Sequence, residues 1–234
     1  VPQADMKTQE FRFRPGPVFT QFLLADEINR SPAKTHAALL EIMQEFRVTV
    51  DGTSHELSRP FLVLATQNPV ESEGTYNLPE AQLDRFLMHV KIDYPDASAE
   101  QSILRLARGE ALAHKDYDGS KLTEKHLIAA RGQVLQMHMS EAVEEYLVQL
   151  IIATREPGKY GDDLARWVEF GASPRGTIAL DRCARAYAWL EGRDYVSPDD
   201  VRAVAHDVLR HRILLSFEAE ASGITPDKVL ETIR

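Results

Sequence analysis

Two adjacent carboxylates, Asp26 and Glu27, are the residues of this sequence best suited to chemistry. They directly follow the apolar run Phe22–Ala25. One carboxylate can hold the water shell of a Mg²⁺ ion on a nucleotide. The next can orient and polarise an attacking water. The pair therefore predicts metal-assisted chemistry on a nucleotide, and the alternative interpretation is a strand that simply runs into an acidic turn.

The elements that must position these carboxylates are strands of a parallel sheet. Short apolar runs bounded by polar residues are typical of strands buried on both faces of such a sheet. Residues 61–66 form a second run, which is followed by Asn68 and Pro69. Proline disfavours helical conformation in the residue before it, so Asn68 is expected in a turn. Because α/β proteins bind ligands where parallel strands end, Asn68 should lie at the same edge as Asp26 and Glu27.

The residues around these two strands also give clear secondary-structure signals. A Ser-Pro start and helical spacing predict a helix over residues 31–46. An Asp-Gly pair predicts a two-residue hairpin within residues 48–57. Residues 79–86 should form one or two helical turns, and the apolar residues 86–92 a third strand.

Beyond Pro95 the sequence becomes helical in character. We therefore expect two domains, an α/β part over residues 1–95 and a helical part over residues 96–234. The helices are predicted at residues 97–113, 122–136, 140–155, 173–190 and 197–217, with a short last helix from residue 225 and a loop over residues 158–173.

Composition and charge argue against several classes of protein. The net charge is −9, which disfavours a sequence-independent nucleic-acid binder. The predicted hairpin carries only Arg47 as a nearby basic residue, which also argues against DNA contact. No apolar run approaches the roughly 20 residues of a membrane span, and no signal peptide is visible. Cys183 is the only cysteine, so we expect a buried thiol, no internal disulfide and a cytoplasmic location.

Five polar residues, in their order along the chain, resemble the nucleotide site of AAA+ ATPases. Asp26 and Glu27 look like the Walker B pair, and Asn68 looks like sensor 1. Arg85 resembles the arginine finger of the helix-2-insert group, and Arg175 resembles sensor 2 at the start of a lid helix. The resemblance implies an α/β fold, with a P-loop NTPase (AAA+) parallel-sheet core followed by an all-α lid domain.

The resemblance is closest to the MoxR family of AAA+ proteins. It implies hydrolysis of ATP with Mg²⁺, in which Asp26 supports Mg²⁺ through water, Glu27 activates water and Asn68 positions it, while Arg85 and Arg175 contact phosphate. It further implies a homo-oligomeric ring, expected to be a hexamer, and a partner with a von Willebrand factor A domain. The expected role is chaperone-like remodelling or maturation of a client protein, including metal insertion. The stretches that carry the resemblance are residues 25–30, 64–69, 73–76, 78–86 and 213–219.

Each of these residues also has a purely structural interpretation. Arg85 could be a surface ion-pair partner of Asp84 or Glu80, Arg175 could be solvated, and Asn68 could be a turn residue. The chain as a whole could be a nucleotide-independent module that binds or assembles proteins. Replacing Glu27 by Gln in the complete protein discriminates the two functions, because trapped ATP and abolished turnover would support the enzyme.

One expected feature is missing from the sequence. The 234 residues contain no Gly-x-x-x-x-Gly-Lys-[Ser/Thr] phosphate-binding loop. By resemblance we expect the carboxyl-terminal portion of a longer protein, with an incomplete core that is inactive by itself. The strand of that loop would lie between residues 61–66 and residues 86–92, so we expect a separate fragment, another copy or a rearranged strand to fill this position.

Overall fold

The computed structural model describes residues 2–4, 11–13, 15–50, 52–68, 78–112, 119 and 121–233. Contacts between Cα atoms divide the chain into two compact units, Val1–Arg85 and Phe86–Arg234. Each unit is described by itself. The assignment of a core domain ending at Pro95 and a lid domain after it stays a prediction.

The first unit combines short strands with two helices. The strands β1 and β2 pair antiparallel, as do β4 and β5, whereas β3 and β6 pair parallel. The elements are β1 (Pro2–Ala4), β2 (Phe11–Phe13), β3 (Phe22–Ala25), α1 (Ala33–Glu45), β4 (Arg47–Val50), β5 (Thr53–Glu56), β6 (Leu62–Ala65) and α2 (Glu80–Leu83). The predicted helices and the hairpin are thus confirmed, although Asp51 of the hairpin turn lies outside the described residues. Gly52 has a φ of 77°, which suits this turn.

The parallel pair β3–β6 confirms the central expectation from the sequence. Ala25 lies opposite Ala65, so both strands end at the same level. The expectation that the strands are buried on both faces is wrong for the described residues. Side chains alternate between the two faces of a strand. On one face of β3, Phe22 and Leu24 are 60% and 62% exposed.

The second unit is mainly helical. Its helices are α3 (Ala97–Leu112), α4 (Glu124–Leu135), α5 (Glu141–Arg155), α6 (Asp162–Trp167), α7 (Pro174–Leu190), α8 (Pro198–Leu209), α9 (Phe217–Ala221) and α10 (Pro226–Ile233). A short antiparallel pair, β7 (Val168–Phe170) and β8 (Leu214–Leu215), joins them. All six helix starts predicted for this unit are confirmed to within two residues, and Thr123 caps α4 as the sequence indicated.

Three predictions about this unit are wrong. Residues 158–173 do not form only a loop, because α6 and β7 lie within them. The helix that begins at Pro198 ends at Leu209 and not near residue 217, since a 3₁₀ turn and β8 follow it. Residues 86–92 do not form a strand. The backbone groups of Phe86, Leu87 and His89 bond instead to the last turn of α8 and to the 3₁₀ turn that follows it.

The core of the second unit lies between α5, α7 and α8. Burial of apolar side chains on the facing sides of these helices provides the main stabilisation. Cys183 of α7 is 7% exposed, which confirms the predicted buried thiol. Burial raises the pKa of this thiol to about 11. The most deeply buried large apolar side chains of the three helices are Ile151, Leu180, Val201, Val208 and Leu209.

Three consecutive side chains of the 3₁₀ turn that follows α8 hold the segment after Arg85. Arg212 donates to the carbonyl oxygens of Phe86 and Leu87, at 2.6 and 3.3 Å. Arg210 donates to the carbonyl oxygen of His89, whose own N–H donates to the carbonyl oxygen of Asp207 at 2.7 Å. The rings of His89 and His211 also meet edge to face, with 5.8 Å between centroids. We call residues 210–212 the carbonyl clamp.

Asp227 at the start of α10 supports the clamp through Arg210. It accepts a hydrogen bond from Arg210 Nε at 2.9 Å and lies 3.0 Å from His206 Nδ1. Burial raises the pKa of Asp227, but the hydrogen bonds from His206 and Arg210 and the positive charge of Arg210 outweigh it. The pKa of this carboxylate therefore lies below its ordinary value of 3.8.

A buried carboxylate fixes the start of α8. Asp200 is 1% exposed and accepts hydrogen bonds from the N–H and the hydroxyl of Ser197, both at 2.8 Å. It also forms an ion pair with Arg193. This capping box satisfies backbone groups that the helix itself leaves unpaired.

None of the described helices is both long and apolar enough to cross a membrane.

Candidate functional site

The candidate site is built from the residues that follow β3 and β6. Because the two strands are parallel and in register at Ala25 and Ala65, the next residues, Asp26 and Thr66, lie side by side. The Thr66 hydroxyl donates to Asp26 Oδ1 at 2.6 Å. Asp26 is exposed. The predicted carboxylate therefore stands at the strand ends, where a hydroxyl fixes one of its two oxygens.

Glu27 lies at the turn between β3 and a 3₁₀ turn over Ile28–Arg30. Its backbone is left-handed, with φ 48° and ψ 50°. This conformation is uncommon for a residue other than glycine. Its N–H donates to the Thr66 hydroxyl at 2.8 Å, and its carboxylate pairs with Arg30 at 3.2 Å. The turn thus directs the Glu27 side chain away from the path that a continuing strand would give it.

Asn68 is held at the same edge through its backbone. The Asn29 side chain donates to the carbonyl oxygen of Asn68 at 3.3 Å. Asn29 is 8% exposed, and the following helix secures this turn, because the buried ring of His36 lies 2.6 Å from the carbonyl oxygen of Ile28. Asp26, Glu27 and Asn68 therefore all follow the ends of one strand pair, as the sequence predicted.

The two candidate arginines belong to different units. Arg85 follows the short helix α2 in the first unit and is exposed. Arg175 is the second residue of α7 in the second unit and is also exposed. Its N–H donates to the hydroxyl of Ser173, which caps the helix. A cation at the surface of each unit is what contact with a phosphate requires.

The chain ahead of Arg175 is fixed by a close backbone contact. Gly171 packs directly on the end of α5, where a Cβ atom would lie 2.2 Å from the carbonyl oxygen of Thr154. The Thr154 hydroxyl accepts from the Ala172 N–H at 3.0 Å, and Arg155 Nε donates to the Ala172 carbonyl oxygen at 2.7 Å. The start of α7 is therefore anchored to α5.

The acidic side of the site suits Mg²⁺. This ion usually keeps several waters and is held by one or two carboxylates together with substrate phosphates. Asp26 and Glu27 supply such carboxylates at the surface. Within the described ranges, no group of three or more His, Cys, Asp or Glu residues could hold a metal ion by itself. The donor set thus fits a cation that arrives with a phosphate ligand.

The comparisons with known proteins agree with this architecture. A family profile described as "ATPase family associated with various cellular activities (AAA)" matches residues 2–88, and one described as "AAA lid domain" matches residues 164–233. Protein MoxR of Methylorubrum extorquens is 36% identical over 95% of this chain and 70% of its own length. The chain belongs to the MoxR family of AAA+ ATPases.

A further relative and a solved structure extend the comparison. Chaperone MoxR1 of Mycobacterium tuberculosis is 44% identical over 96% of this chain, and the chain spans 59% of that protein's length. A crystal structure of a proposed ATPase from Cytophaga hutchinsonii is 44% identical, with a TM-score of 0.91, and the match covers 100% of this chain and 70% of that one. The AAA+ core fold followed by a helical lid is thereby confirmed.

Sequence reasoning about this MoxR chain missed Thr66 and Asn29. A signal for Thr66 was available, because the two strands read Phe-Leu-Leu-Ala-Asp and Leu-Val-Leu-Ala-Thr. Aligning Ala25 with Ala65 places Asp26 beside Thr66. Asn29 gave no such signal, since its contact with Asn68 depends on the left-handed turn at Glu27. The stretch at residues 73–76 that contributed to the MoxR resemblance lies outside the described residues.

Proposed function

We propose that this chain carries the hydrolytic residues of a Mg²⁺-dependent ATPase. The observation that carries the proposal is the convergence of Asp26, Glu27 and Asn68 at the ends of β3 and β6. Membership of the MoxR family supports it, because the matched profile is that of an ATPase family. The activity of the whole protein is part of the proposal, since the chain spans 59% of the length of Chaperone MoxR1.

Each candidate residue has a distinct role in the proposed reaction. Asp26 would hold Mg²⁺ through water, and Mg²⁺ would offset charge on the phosphates. Glu27 would take a proton from the attacking water. The oxygen of that water can then bond to the terminal phosphorus of ATP while the bond from this phosphorus to the leaving ADP breaks. Asn68 would orient the same water by a hydrogen bond.

The two arginines would act on the charge of the phosphates. Arg85 would contribute the finger that stabilises the transferring group, an effect worth about 10³–10⁵ in rate where it has been measured. Arg175 would contact phosphate from the start of the lid helix α7. An arginine finger is commonly supplied by a second subunit. The working assembly would therefore be a homo-oligomeric ring, and we propose a hexamer.

The use of the reaction is proposed from the relatives. One of them is named as a chaperone. We infer that ATP turnover moves the lid and remodels or matures a client protein in the cytoplasm, including by metal insertion. A protein with a von Willebrand factor A domain would be the partner. Co-purification with such a partner, and loss of client activation when turnover is blocked, are the expected observations.

The test is Glu27→Gln in the complete protein, with Glu41→Gln as a matched control. Glu41 is an exposed residue of α1 and undergoes the same change from carboxylate to amide. We expect Glu27→Gln to retain ATP binding while turnover falls by about 10²–10⁴, the usual contribution of a general base. Glu41→Gln should keep normal turnover.

A Glu27→Gln protein that hydrolyses ATP at the normal rate would contradict the proposal. Unaltered client binding in a protein that never binds ATP would favour a nucleotide-independent assembly module. The 234-residue chain by itself should show no turnover, because its sequence contains no phosphate-binding loop.

A further inference from the structure

Thr66 contacts both candidate carboxylate residues at once. Its hydroxyl donates to Asp26 Oδ1 at 2.6 Å and accepts from the Glu27 N–H at 2.8 Å. Its backbone adds two more bonds to the same stretch. The Thr66 N–H donates to the Ala25 carbonyl oxygen at 3.0 Å, and the Ile28 N–H donates to the Thr66 carbonyl oxygen at 2.9 Å. Four hydrogen bonds thus join one residue to four consecutive ones.

These bonds explain how Glu27 keeps an unfavourable backbone conformation. A left-handed backbone is unfavourable for a residue that carries a Cβ, and Glu27 has φ 48° and ψ 50°. Such strain persists only where surrounding contacts determine the conformation. Here the N–H groups on both sides of the Glu27 Cα, those of Glu27 and Ile28, are bound by Thr66. The hydroxyl of Thr66 is therefore one of two anchors for the turn.

We propose that Thr66 is a positioning residue for hydrolysis, acting through Asp26 and Glu27. Its hydroxyl fixes one oxygen of Asp26 and so orients the other, and it holds the backbone turn that aims Glu27. The inference rests on the proposed function, because it assigns Thr66 a role only through the two carboxylates. It adds a residue whose side chain neither binds phosphate nor exchanges a proton.

The chemistry of threonine suits this role. A β-branched side chain has few allowed χ1 rotamers in extended backbone, so the hydroxyl is held in place. A hydroxyl can donate and accept at the same time, as the contacts with a carboxylate and an N–H require. Valine has the same shape without the hydroxyl, and it would leave the Glu27 N–H without this acceptor.

The experiment compares Thr66→Val with Thr66→Ser in the complete protein, measuring kcat and KM for Mg-ATP and the Mg²⁺ concentration for half-maximal rate. Thr66→Val should lower kcat by about 10–100-fold, the loss expected for a hydrogen bond to a charged group. It should also raise the Mg²⁺ requirement. Thr66→Ser should restore kcat to within about threefold, because it restores the hydroxyl. Thr232→Val, an exposed position in α10, is the matched control and should change nothing.

The readouts separate positioning from stability. A purely structural role for Thr66 would lower the urea midpoint of unfolding and leave the kcat of the folded enzyme and its Mg²⁺ requirement unchanged, and that result would overturn the inference. If Thr66→Val does not fold, Thr66→Ala against Thr66→Ser isolates the oxygen atom. A kcat ratio near one between these two would also overturn it.

Two different results would contradict the proposed ATPase function and the positioning role of Thr66. Normal turnover in Glu27→Gln removes the proposed function and the inference with it. Loss of turnover in Glu27→Gln, together with a Thr66→Val enzyme within about twofold of normal, leaves the function intact and overturns only the inference.

Discussion

Replacing Gly171 by alanine tests how the start of α7 is held. A Cβ at this position would lie 2.2 Å from the Thr154 carbonyl oxygen, 2.4 Å from its carbonyl carbon and 2.7 Å from the Arg155 nitrogen. All three atoms are backbone of α5, so no side chain can rotate away. Relief requires the chain at Gly171 to move from the helix by about 1 Å or more to reach an ordinary contact distance.

The expected cost of Gly171→Ala is about 3 kcal/mol. Overpacking of a well-packed site costs about 1–3 kcal/mol, and the upper end applies because the clash involves backbone. The displacement also strains the hydrogen bonds that join Ala172 to Thr154 and Arg155. For a unit of this size such a loss lowers the Tm by roughly 10 °C.

Urea unfolding followed by tryptophan fluorescence is a suitable assay. The chain has two tryptophans, Trp167 and Trp189, and both lie in the second unit, so the signal reports on this unit. Gly132→Ala is the matched control. Gly132 lies in α4, and no heavy atom from other parts of the described chain lies within 4 Å of an added Cβ, so alanine there should stabilise by about 0.5–1 kcal/mol.

The two alanine variants should therefore change the urea midpoint in opposite directions. Equal stability of Gly171→Ala and Gly132→Ala would refute the argument that the close contact at Gly171 anchors α7. In the complete protein, Gly171→Ala should in addition weaken ATP binding more than Gly132→Ala does, because Arg175 lies four residues further along the chain.

Three further predictions concern ionisable and reactive groups of the second unit. Because the folded pKa of Asp227 lies below the unfolded value of 3.8, the ionised carboxylate stabilises the fold above pH 3.8, and this stabilisation is lost as the pH falls through the lower folded pKa. In the native protein the urea midpoint should therefore fall below about pH 4, and this fall should be smaller in Asp227→Asn. An unchanged pH dependence in the variant would contradict the assignment. The Cys183 thiol, with a pKa of about 11, should react with a disulfide reagent at about pH 8 only after denaturation, so rapid labelling of the native protein would exclude the buried site. Asp200→Ala leaves Arg193 without its buried partner and should lower the free energy of unfolding, measured by thermal unfolding, by about 2–3 kcal/mol. The loss is smaller than for a fully buried pair because the Arg193 side chain is 30% exposed. A loss under about 0.5 kcal/mol would argue against the capping role.

The strands β3 and β6 and the helix starts of the second unit could be predicted from the sequence because their signals are local. The apolar runs before Asp26 and Asn68, and the Ser-Pro pairs ahead of α7 and α8, depend only on neighbouring residues. The parallel pairing of β3 and β6 was predicted from these short apolar runs, although the strands are not buried on both faces. The proximity of Asp26, Glu27 and Asn68 then followed from the rule that parallel strands end at one edge.

The missed elements depend on contacts distant in sequence. Helix α6 has six residues and is stabilised by burial of Leu164, which is 1% exposed. Its weak local signal was the pair Asp162 and Asp163 in the first turn with Arg166 in the last. The apolar residues 86–92 have a strand-like composition, yet arginine side chains bind their carbonyl groups, which no periodicity reveals.

The candidate site shows the same division. The identities of Asp26 and Glu27 could be read from the sequence because their types and spacing are chemical signals. The left-handed backbone of Glu27 could not, since glutamate has no preference for it and the bonds to Thr66 impose it. What positions the carboxylates is therefore harder to predict than the carboxylates themselves.

The carbonyl clamp at residues 210–212 has a consequence for tolerance to mutation. Arg210 and Arg212 bind main-chain oxygens of Phe86, Leu87 and His89, and every residue type offers such an oxygen. Substitutions at Phe86 and Leu87 should thus leave the clamp's hydrogen bonds intact. Arg212 is hard to replace because it reaches two of these carbonyl oxygens at once, and Arg210 because it binds both the His89 carbonyl oxygen and the Asp227 carboxylate. At His89, proline should not be tolerated, because it would remove the N–H that bonds to the Asp207 carbonyl oxygen. A library of variants should therefore accumulate changes on the held segment and few on the residues that hold it.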